Sequence, residues 1–336
     1  MSGKIVLGLS GGVDSAVSAR LLLERGYDVT GVYLDIGAGG SGAEDAAAVA
    51  RTLNIDFVVR SIADELERHV CKPFAADYLA GRTPLPCARC NPLVKFPALL
   101  AEAERIGASR VATGHYARVI DGGLYQGKSS NDQSYLLSRL PREILQKVVF
   151  PLGDHEKTAV RAMAERYGIP VAHKPDSMEI CFVPDDDYAA WLAARGDCAP
   201  PGDFIDKDGR VLGRHKGVHC YTLGQRRGLG VSGLHRYFVT AIDPVHNTVT
   251  LSDGSDLGRT EVICSAPNWL TAQAPTRPFD CPVRLRHSRR ADPATVTPDE
   301  SGRVIVRSET PLRAPTPGQL AVFYDGDRVL GSAWIE

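Results

Sequence analysis

The chain has 336 residues, 43% hydrophobic and 24% charged, a composition typical of a globular protein with room for two or three domains. Lysine and arginine total 39 against 40 for aspartate and glutamate, so any nucleic-acid surface must come from local clustering of basic residues. Its apolar runs are too short for a membrane span or a signal peptide. We therefore expect a cytoplasmic protein without a membrane partner, whose eight cysteines are reduced, metal-bound or catalytic.

A glycine-rich turn follows the first predicted strand. The apolar run 5–7 predicts a buried strand and residues 16–25 predict a helix. The turn between them consists of Gly8, Leu9, Ser10, Gly11, Gly12, Val13, Asp14 and Ser15. It lacks the lysine of the kinase-type phosphate loop, and its glycine spacing differs from the dinucleotide fingerprint. Backbone N–H groups and the dipole at the start of the helix nevertheless favour an anion there.

Strands and helices alternate over the next hundred residues. Residues 29–34, 55–60 and 110–113 predict strands, and 44–53 and 95–106 predict helices. This alternation favours a parallel sheet, whose ligands bind at the carboxyl ends of the strands. Leu34 lies at that edge, where we expect it either to form an apolar wall for an adenine ring or to pack in the core. Gly114 and His115 follow the strand 110–113 at the same edge.

Residues 81–92 contain three prolines and a glycine, and we predict an irregular loop there. The loop carries Cys87 and Cys90 at C-x-x-C spacing. A structural zinc site would need a second such pair, and a thioredoxin-like pair would directly follow a strand. Cys181 is a third candidate thiol in its own non-helical stretch. We interpret the remaining five cysteines as small buried hydrophobes.

Helical periodicity largely ends near residue 199, and a proline-rich joint lies at 274–278. We therefore predict an α/β domain over 1–198, a small central β domain over 199–276 and a C-terminal β domain over 277–336. Residues 284–290 contain four arginines and a histidine. This cluster either follows RNA phosphates or forms a charged strand edge that resists aggregation.

Several sequence blocks resemble one known family over nearly the whole chain. Residues 10–15 read Ser-Gly-Gly-x-Asp-Ser, the PP-loop of the ATP pyrophosphatases. Further blocks resemble the tRNA-specific 2-thiouridylase family, and they lie at 81–84, 112–117, 132–135, 177–182, 221–230 and 317–319. The resemblance implies a parallel-sheet PP-loop domain of the adenine nucleotide alpha hydrolase-like fold, followed by two small β domains, the last a β-barrel.

The resemblance also implies a reaction. ATP with Mg²⁺ would adenylate the 2-oxygen of the wobble uridine, and sulfur would then displace AMP, giving 2-thiouridine, AMP and pyrophosphate. The implied partners are the anticodon arm of tRNA, from Lys, Glu and Gln acceptors, and a sulfur donor that is a persulfide carrier, a desulfurase or sulfide. The implied ATP-binding residues are the PP-loop residues 8–15 with Leu34 and Gly114. The implied tRNA-binding residues are Leu85, Pro86, His115, Asn131, Asp132, Gln133, Arg286, His287 and Gln319.

The family places a nucleophilic cysteine at Cys90 and a persulfide-carrying cysteine at Cys181. It commonly has aspartate where this chain has Cys87. If the three thiols converge, they would hold a [4Fe–4S] cluster with one iron left open. Two hypotheses for sulfur delivery follow: a persulfide relay through Cys181, and sulfur bound to a cluster on Cys87, Cys90 and Cys181.

Two other functions stay open from the residues alone. Another PP-loop tRNA-modifying ligase would share the loop but would not need the three cysteines. A non-catalytic tRNA-binding protein would not need the intact Ser10, Asp14 and Ser15. For the arginine cluster we predict that replacing Arg286 and Arg289 weakens tRNA binding and flattens its salt dependence.

Overall fold

The computed structural model describes residues 3–175, 180–231, 236–287 and 290–336. Its strands are β1 (Lys4–Gly8), β2 (Asp28–Asp35), β3 (Asp56–Ser61), β4 (Arg110–Ala112), β5 (Ala117–Ile120), β6 (Gly123–Gln126), β7 (Val148–Val149), β8 (Gly202–Ile205), β9 (Val211–His215), β10 (Phe238–Asp243), β11 (Thr248–Ser252), β12 (Gly258–Trp269), β13 (Phe279–Arg284), β14 (Asp292–Pro298), β15 (Val304–Arg313), β16 (Leu320–Asp325) and β17 (Arg328–Ile335). Its α-helices are α1 (Val13–Glu24), α2 (Gly42–Leu53), α3 (Ala63–Leu66), α4 (Lys72–Leu79), α5 (Pro86–Cys90), α6 (Phe96–Ile106), α7 (Ser134–Leu137), α8 (Arg142–Leu145), α9 (Lys157–Arg166) and α10 (Tyr188–Ala194). In the described part of the chain, no helix is long and apolar enough to cross a bilayer.

The N-terminal sheet is parallel, as the alternation of strands and helices predicted. Its strand order among the described residues is β3-β2-β1-β4-β7. Successive side chains of β1 serve opposite faces: Ile5 and Leu7 join the core formed with α1, α2 and α9, whereas Val6 joins the core formed with α6. The chain leaves β1 toward β2 and later returns to pair β4 on the other side. The loops after β1 and β4 therefore open the crevice where such sheets bind ligands.

Two β modules follow the parallel sheet, which confirms the predicted fold class. The central sheet has the order β10-β11-β8-β9. The C-terminal strands run β12-β15-β14-β13-β16-β17, and pairing of β12 with β17 closes them into a barrel. The β5–β6 hairpin of the first domain joins the edge of this sheet through Tyr125 and Arg328. Leu320 and Val322 of the barrel pack into the same core as Phe96, so the barrel and the α/β domain share buried surface.

The domain limits stay predictions, with one structural observation bearing on the last of them. Strand β12 begins at Gly258 and pairs with β15 and β17 of the barrel. The sequence had assigned this strand to the central domain 199–276, because the proline-rich joint at 274–278 was the clearest break in composition. Strand pairing instead groups residues 258–269 with the C-terminal sheet.

The prediction of an irregular loop over 81–92 is wrong for its second half. Residues 86–90 form α5, which continues through a π-helical turn, Asn91–Lys95, into α6. Proline is tolerated in the first turn of a helix because the N–H group there has no intrahelical partner, and Pro86 occupies that position. Pro92 falls within the π-helical turn, where the wider ladder accommodates its missing N–H. A second π-helical turn, Glu67–Cys71, lies directly before α4, which has Pro73 in its first turn.

Candidate active site

The PP-loop is held by its own hydroxyl groups. Ser15 Oγ donates to the Gly12 carbonyl at 3.0 Å and accepts from the Ser10 N–H at 3.1 Å. Gly12, the N-cap of α1, has no side chain to occupy the first N–H groups of the helix, so these remain available to ligand oxygens. Gly11 has a φ of 74°, and a Cβ there would lie 2.5 Å from the Gly42 carbonyl oxygen. The geometry fits the phosphate site that the sequence predicted.

Gly114 brings the loop after β4 directly against the PP-loop. A Cβ at Gly114 would lie 2.8 Å from the Ser15 nitrogen and 2.9 Å from the Asp14 carbonyl carbon. Glycine is therefore required at this contact. The predicted ATP-binding residues of β1, the PP-loop and Gly114 thus meet at one sheet edge. Leu34, near the end of β2, is half-buried and packs against two cores, so its predicted contact with adenine stays a prediction.

His115 lies beside Gly114, in surroundings that favour the neutral imidazole. Its Nδ1 is 2.6 Å from Thr113 Oγ1, and its ring packs against Phe96 and Phe150. Burial, and after it the positive charge of Lys95, holds the pKa of His115 well below its usual value. In the protein by itself, the lowered pKa favours an imidazole that offers hydrogen bonds rather than a positive charge. Its predicted contact with tRNA stays a prediction.

Asp14 is paired with a lysine that lies outside the sequence motif. Lys157 Nζ lies 2.7 and 2.8 Å from the two carboxylate oxygens of Asp14, and the Tyr116 hydroxyl donates to the same carboxylate at 2.7 Å. Lys157 is the first residue of α9, which follows β7 of the parallel sheet. The position of Lys157 after a strand of the parallel sheet could have indicated this contact, because loops that follow parallel strands converge at the same edge of the sheet.

A second lysine forms a hydrogen bond with the PP-loop from its other side. Lys174 Nζ lies 2.6 Å from Asp45 Oδ2 and donates to the Gly11 carbonyl at 3.3 Å. The hydrogen bond from Lys174 is the first cause that lowers the pKa of Asp45. Lys157 and Lys174 therefore place two positive charges around a loop that is built to hold an anion.

We expect Lys157→Met to raise the KM for ATP at least about tenfold, because charge-assisted contacts to a phosphate contribute about 1.5–3 kcal/mol. The substitution also leaves the Asp14 carboxylate without its cation, next to the site of a polyanion. ATP titration of pyrophosphate release measures the effect. Lys128→Met is the matched control, since Lys128 pairs with Asp154 on the exposed surface. An unchanged KM for ATP in Lys157→Met would contradict the assignment.

The three predicted thiols lie near one another, since Cys87 and Cys90 both contribute to the raised pKa of Cys181. Cys87 and Cys181 are exposed and Cys90 is half-buried. Burial raises the pKa of Cys90. Desolvation by the surrounding protein raises the pKa of Cys181 to about 11, and the nearby Cys90 adds to that increase. Lys95 acts in the opposite direction on both thiols. Across residues 3–175, 180–231, 236–287 and 290–336, however, no three His, Cys, Asp or Glu side chains are arranged to hold a metal ion.

Two residues predicted to bind tRNA form hydrogen bonds between domains. Gln319 Nε2 donates to the Thr83 carbonyl at 3.0 Å, which ties the barrel to the segment before α5. Arg286 Nη2 donates to the carbonyls of Leu223 and Ala314, at 3.1 Å each, and to Thr316 Oγ1 at 2.8 Å. The proposed contacts of Gln319 and Arg286 with tRNA stay predictions. Arg289 and residues 177–179 lie outside the described residues.

The remaining predicted tRNA residues divide into buried and exposed groups. Asp132 is buried, and its carboxylate accepts from the Gly127 and Ser134 N–H groups and from Arg284. Its contacts hold the polar loop in place. Gln133 accepts from the Tyr116 N–H at 3.0 Å, which fixes the same loop to the crevice. The others are Pro86, which is buried, Leu85, which is half-buried, and Asn131 and His287, which are exposed.

Family models match the chain in three consecutive segments. Residues 3–185 match a domain described as the tRNA methyl transferase HUP domain, and 191–253 match the tRNA methyl transferase PRC-barrel domain. Residues 259–335 match the aminomethyltransferase beta-barrel domain. The fold and the phosphate-binding crevice accordingly define a HUP-domain protein of the PP-loop class, with two β modules appended.

Full-length relatives place the chain more narrowly. It is 43% identical to the tRNA-specific 2-thiouridylase MnmA of Acidithiobacillus ferrooxidans, over 99% of this chain and 98% of that protein. It is 42% identical to that of Clostridium perfringens, over 99% and 98% of the two chains. It is 39% identical to that of Clostridium acetobutylicum, over the whole of both. The chain belongs to the tRNA-specific 2-thiouridylase family, which confirms the resemblance drawn from its motifs.

Proposed function

We propose that this protein is a tRNA-uridine 2-sulfurtransferase that converts the wobble uridine of tRNA to 2-thiouridine at the expense of ATP. The observation that supports this most directly is the meeting of the PP-loop with Gly114 and Lys157 at one sheet edge, where Lys95 affects the pKa of His115 beside Gly114 and of the thiols Cys90 and Cys181. A phosphate site alone fits any PP-loop ligase, and the thiols are what a sulfurtransferase needs in addition. ATP and tRNA are cytoplasmic molecules, so we place the reaction in the cytoplasm.

In the first step the uridine 2-oxygen attacks the α-phosphorus of ATP. An O–P bond forms to the base, and the bond from the α-phosphorus to the bridging oxygen breaks, which releases pyrophosphate. The free N–H groups at the start of α1 and the ammonium groups of Lys157 and Lys174 stabilise the departing diphosphate. Mg²⁺ bound with ATP supplies further charge neutralisation. The product is a base with AMP as a good leaving group at C2.

The anticodon arm is the expected binding region of the tRNA. A stacked wobble base cannot reach the crevice, so the uridine must leave the stack to react. Leu85 and Pro86 lie directly before Cys87, where an extruded base would meet both the nucleotide and the thiols. We extend the proposal to the Lys, Glu and Gln acceptors that the family resemblance implied.

In the persulfide route, the terminal sulfur of a Cys181 persulfide displaces AMP from C2. Cys90 then attacks the Cys181 sulfur, so the S–S bond of the persulfide breaks and its electron pair stays on the thiouridine. A Cys90–Cys181 disulfide remains, and an external dithiol must reduce it before the next cycle. The influence of Cys90 on the pKa of Cys181 supports the nearness this route needs.

The cluster route uses Cys87, Cys90 and Cys181 as ligands of a [4Fe–4S] cluster. Three thiols are the right chemistry for such a group. Their described positions do not form a metal-binding group, so we derive no step through the cluster. The two routes differ in their demand on Cys87, which the cluster requires and the persulfide relay does not.

The test combines nucleoside mass spectrometry with metal analysis. Protein purified without oxygen is incubated with ATP, unmodified tRNA transcript and, in parallel reactions, either sulfide or a cysteine desulfurase with cysteine as the persulfide donor, and the product is digested to nucleosides. We expect ATP-dependent 2-thiouridine, and a methylated nucleoside or no change would contradict the proposal. Iron and acid-labile sulfide that disappear in Cys87→Ser, together with activity, would support the cluster. Iron-free, fully active protein that keeps its activity in Cys87→Ser would support the relay.

A further inference from the structure

The residue between the two loop cysteines reaches a buried carboxylate. Arg89 Nη2 lies 3.3 Å from Asp77 Oδ2, and Asp77 also accepts from Arg82 at 2.6 and 2.8 Å. The Asp77 side chain is only 7% exposed, so its contacts with the two guanidinium groups are partly shielded from water. Asp77 belongs to α4, and Arg89 to α5. The ion pair therefore ties the cysteine-bearing helix to its own domain.

The opposite side of Arg89 meets the barrel. The Arg89 guanidinium carbon lies 5.1 Å from the ring centroid of Trp334, in the last strand β17. Arg89 Nε is buried and has no hydrogen-bond partner among the described residues. The guanidinium is thus held by Asp77 at one end and by the indole face. Arg139 lies 5.6 Å from the same ring and donates to the carbonyls of Ala266 and Ser332, which fixes this corner of the barrel.

A second attachment holds the segment just before α5. The Thr83 N–H donates to the Pro317 carbonyl at 2.8 Å, and Gln319 donates to the Thr83 carbonyl. A Cβ at Gly318 would lie 2.8 Å from the Thr83 carbonyl oxygen, so the barrel approaches this backbone closely. The barrel therefore contacts the chain at Thr83, before Leu85 and Pro86, and at Arg89, after them.

We propose that Trp334 and Arg89 are positioning residues for sulfur transfer, through which the last strand of the barrel sets the place of Cys87 and Cys90. The inference rests on the proposed sulfurtransferase function. Helix α5 is the first part of a continuous helix that runs through the π-helical turn into α6, and its Ala88 is buried in the core that the barrel shares, so the barrel contacts the same turn that carries Cys87 and Cys90. Displacing a reacting group by about 1 Å costs on the order of a hundredfold in rate. The barrel is then a component of the reacting site.

The test separates the two half-reactions in the full-length protein. Pyrophosphate release and 2-thiouridine formation are followed with saturating ATP, tRNA transcript and the sulfur donor, sulfide or a desulfurase with cysteine, that supports thiolation by the wild-type protein. For Trp334→Leu and Arg89→Met we expect the kcat of thiolation to fall about tenfold or more, with the KM for tRNA and the rate of pyrophosphate release within about threefold of wild type. The double variant should lose less than the two single losses combined, since the contact between Arg89 and Trp334 is removed in both single variants. Trp334→Phe, which keeps an aromatic face, should restore most of the rate.

Trp269→Leu is the matched control, because Trp269 lies in the barrel against Phe323, within a different core. It should lower thermal stability without changing the kcat of thiolation below its melting temperature. Thiolation by Trp334→Leu at the wild-type rate would overturn the inference, as would an equal loss in Trp269→Leu or a loss expressed only in the KM for tRNA. If wild-type protein makes no 2-thiouridine at all, the proposed function itself has failed.

Discussion

Gly114→Ala is expected to lower ATP-dependent pyrophosphate release by at least about a hundredfold, since small displacements of a phosphate-binding loop have effects of that order. The added methyl carbon would lie 2.8 Å from the Ser15 nitrogen and 2.9 Å from the Asp14 carbonyl carbon. Both neighbours are backbone atoms, so they can give way only by moving the PP-loop. The first N–H groups of α1 and the Asp14–Lys157 pair would move with it.

The readout is pyrophosphate release at saturating tRNA, with folding checked by circular dichroism and thermal unfolding. Gly3→Ala is the matched control, because a Cβ at Gly3 meets nothing within 4 Å. We expect Gly3→Ala to behave as wild type. A Gly114→Ala protein that folds and releases pyrophosphate at near the wild-type rate would show that the β4 loop does not shape the nucleotide site.

Cys90→Ser is expected to abolish 2-thiouridine formation while leaving tRNA-dependent pyrophosphate release in place. Cys90 serves as the attacking thiol in the persulfide route and as a ligand in the cluster route, so its loss stops sulfur transfer in either case. Adenylation uses the PP-loop and the base, neither of which needs this thiol. The adenylated tRNA should accumulate or hydrolyse, which nucleoside and nucleotide analysis of a single turnover would detect.

Cys198→Ser provides the comparison for Cys90→Ser, since Cys198 lies outside α5 and is exposed, so the expectation of a buried hydrophobe is wrong for it. It should thiolate tRNA at the wild-type rate. Retained thiolation in Cys90→Ser would remove the assigned nucleophile, and simultaneous loss of pyrophosphate release would indicate that the thiol acts before or during adenylation.

The cysteine segment shows why a local pattern was insufficient. Pro84, Pro86 and Pro92 together suggested irregular structure. Two of them instead take helical positions that tolerate proline, at the first turn of α5 and within the π-helical turn. The short helix is held by Asp77 and Trp334, which are distant in sequence from each other. No pattern within residues 81–92 carries that information.

The polar residues assigned to tRNA by resemblance show a related limit. Asp132 and Gln319 each stand in a matching block, yet their side chains make internal contacts, Asp132 with Arg284 and Gln319 with Thr83. A motif records that a residue type is needed at a position. Whether the side chain faces the solvent, a ligand or another domain depends on contacts that the motif does not contain.

The sequence by itself determined the strand, glycine turn and helix of residues 4–24, the alternation that makes the first sheet parallel, and the change to β structure after residue 199. These follow from periodicity and from the backbone needs of glycine, which act over a few residues. Only the tertiary structure decided that Lys157 pairs with Asp14, that Gly114 touches the PP-loop, and that the barrel grips α5. Those contacts join segments far apart in the chain, and packing of the whole molecule selects them.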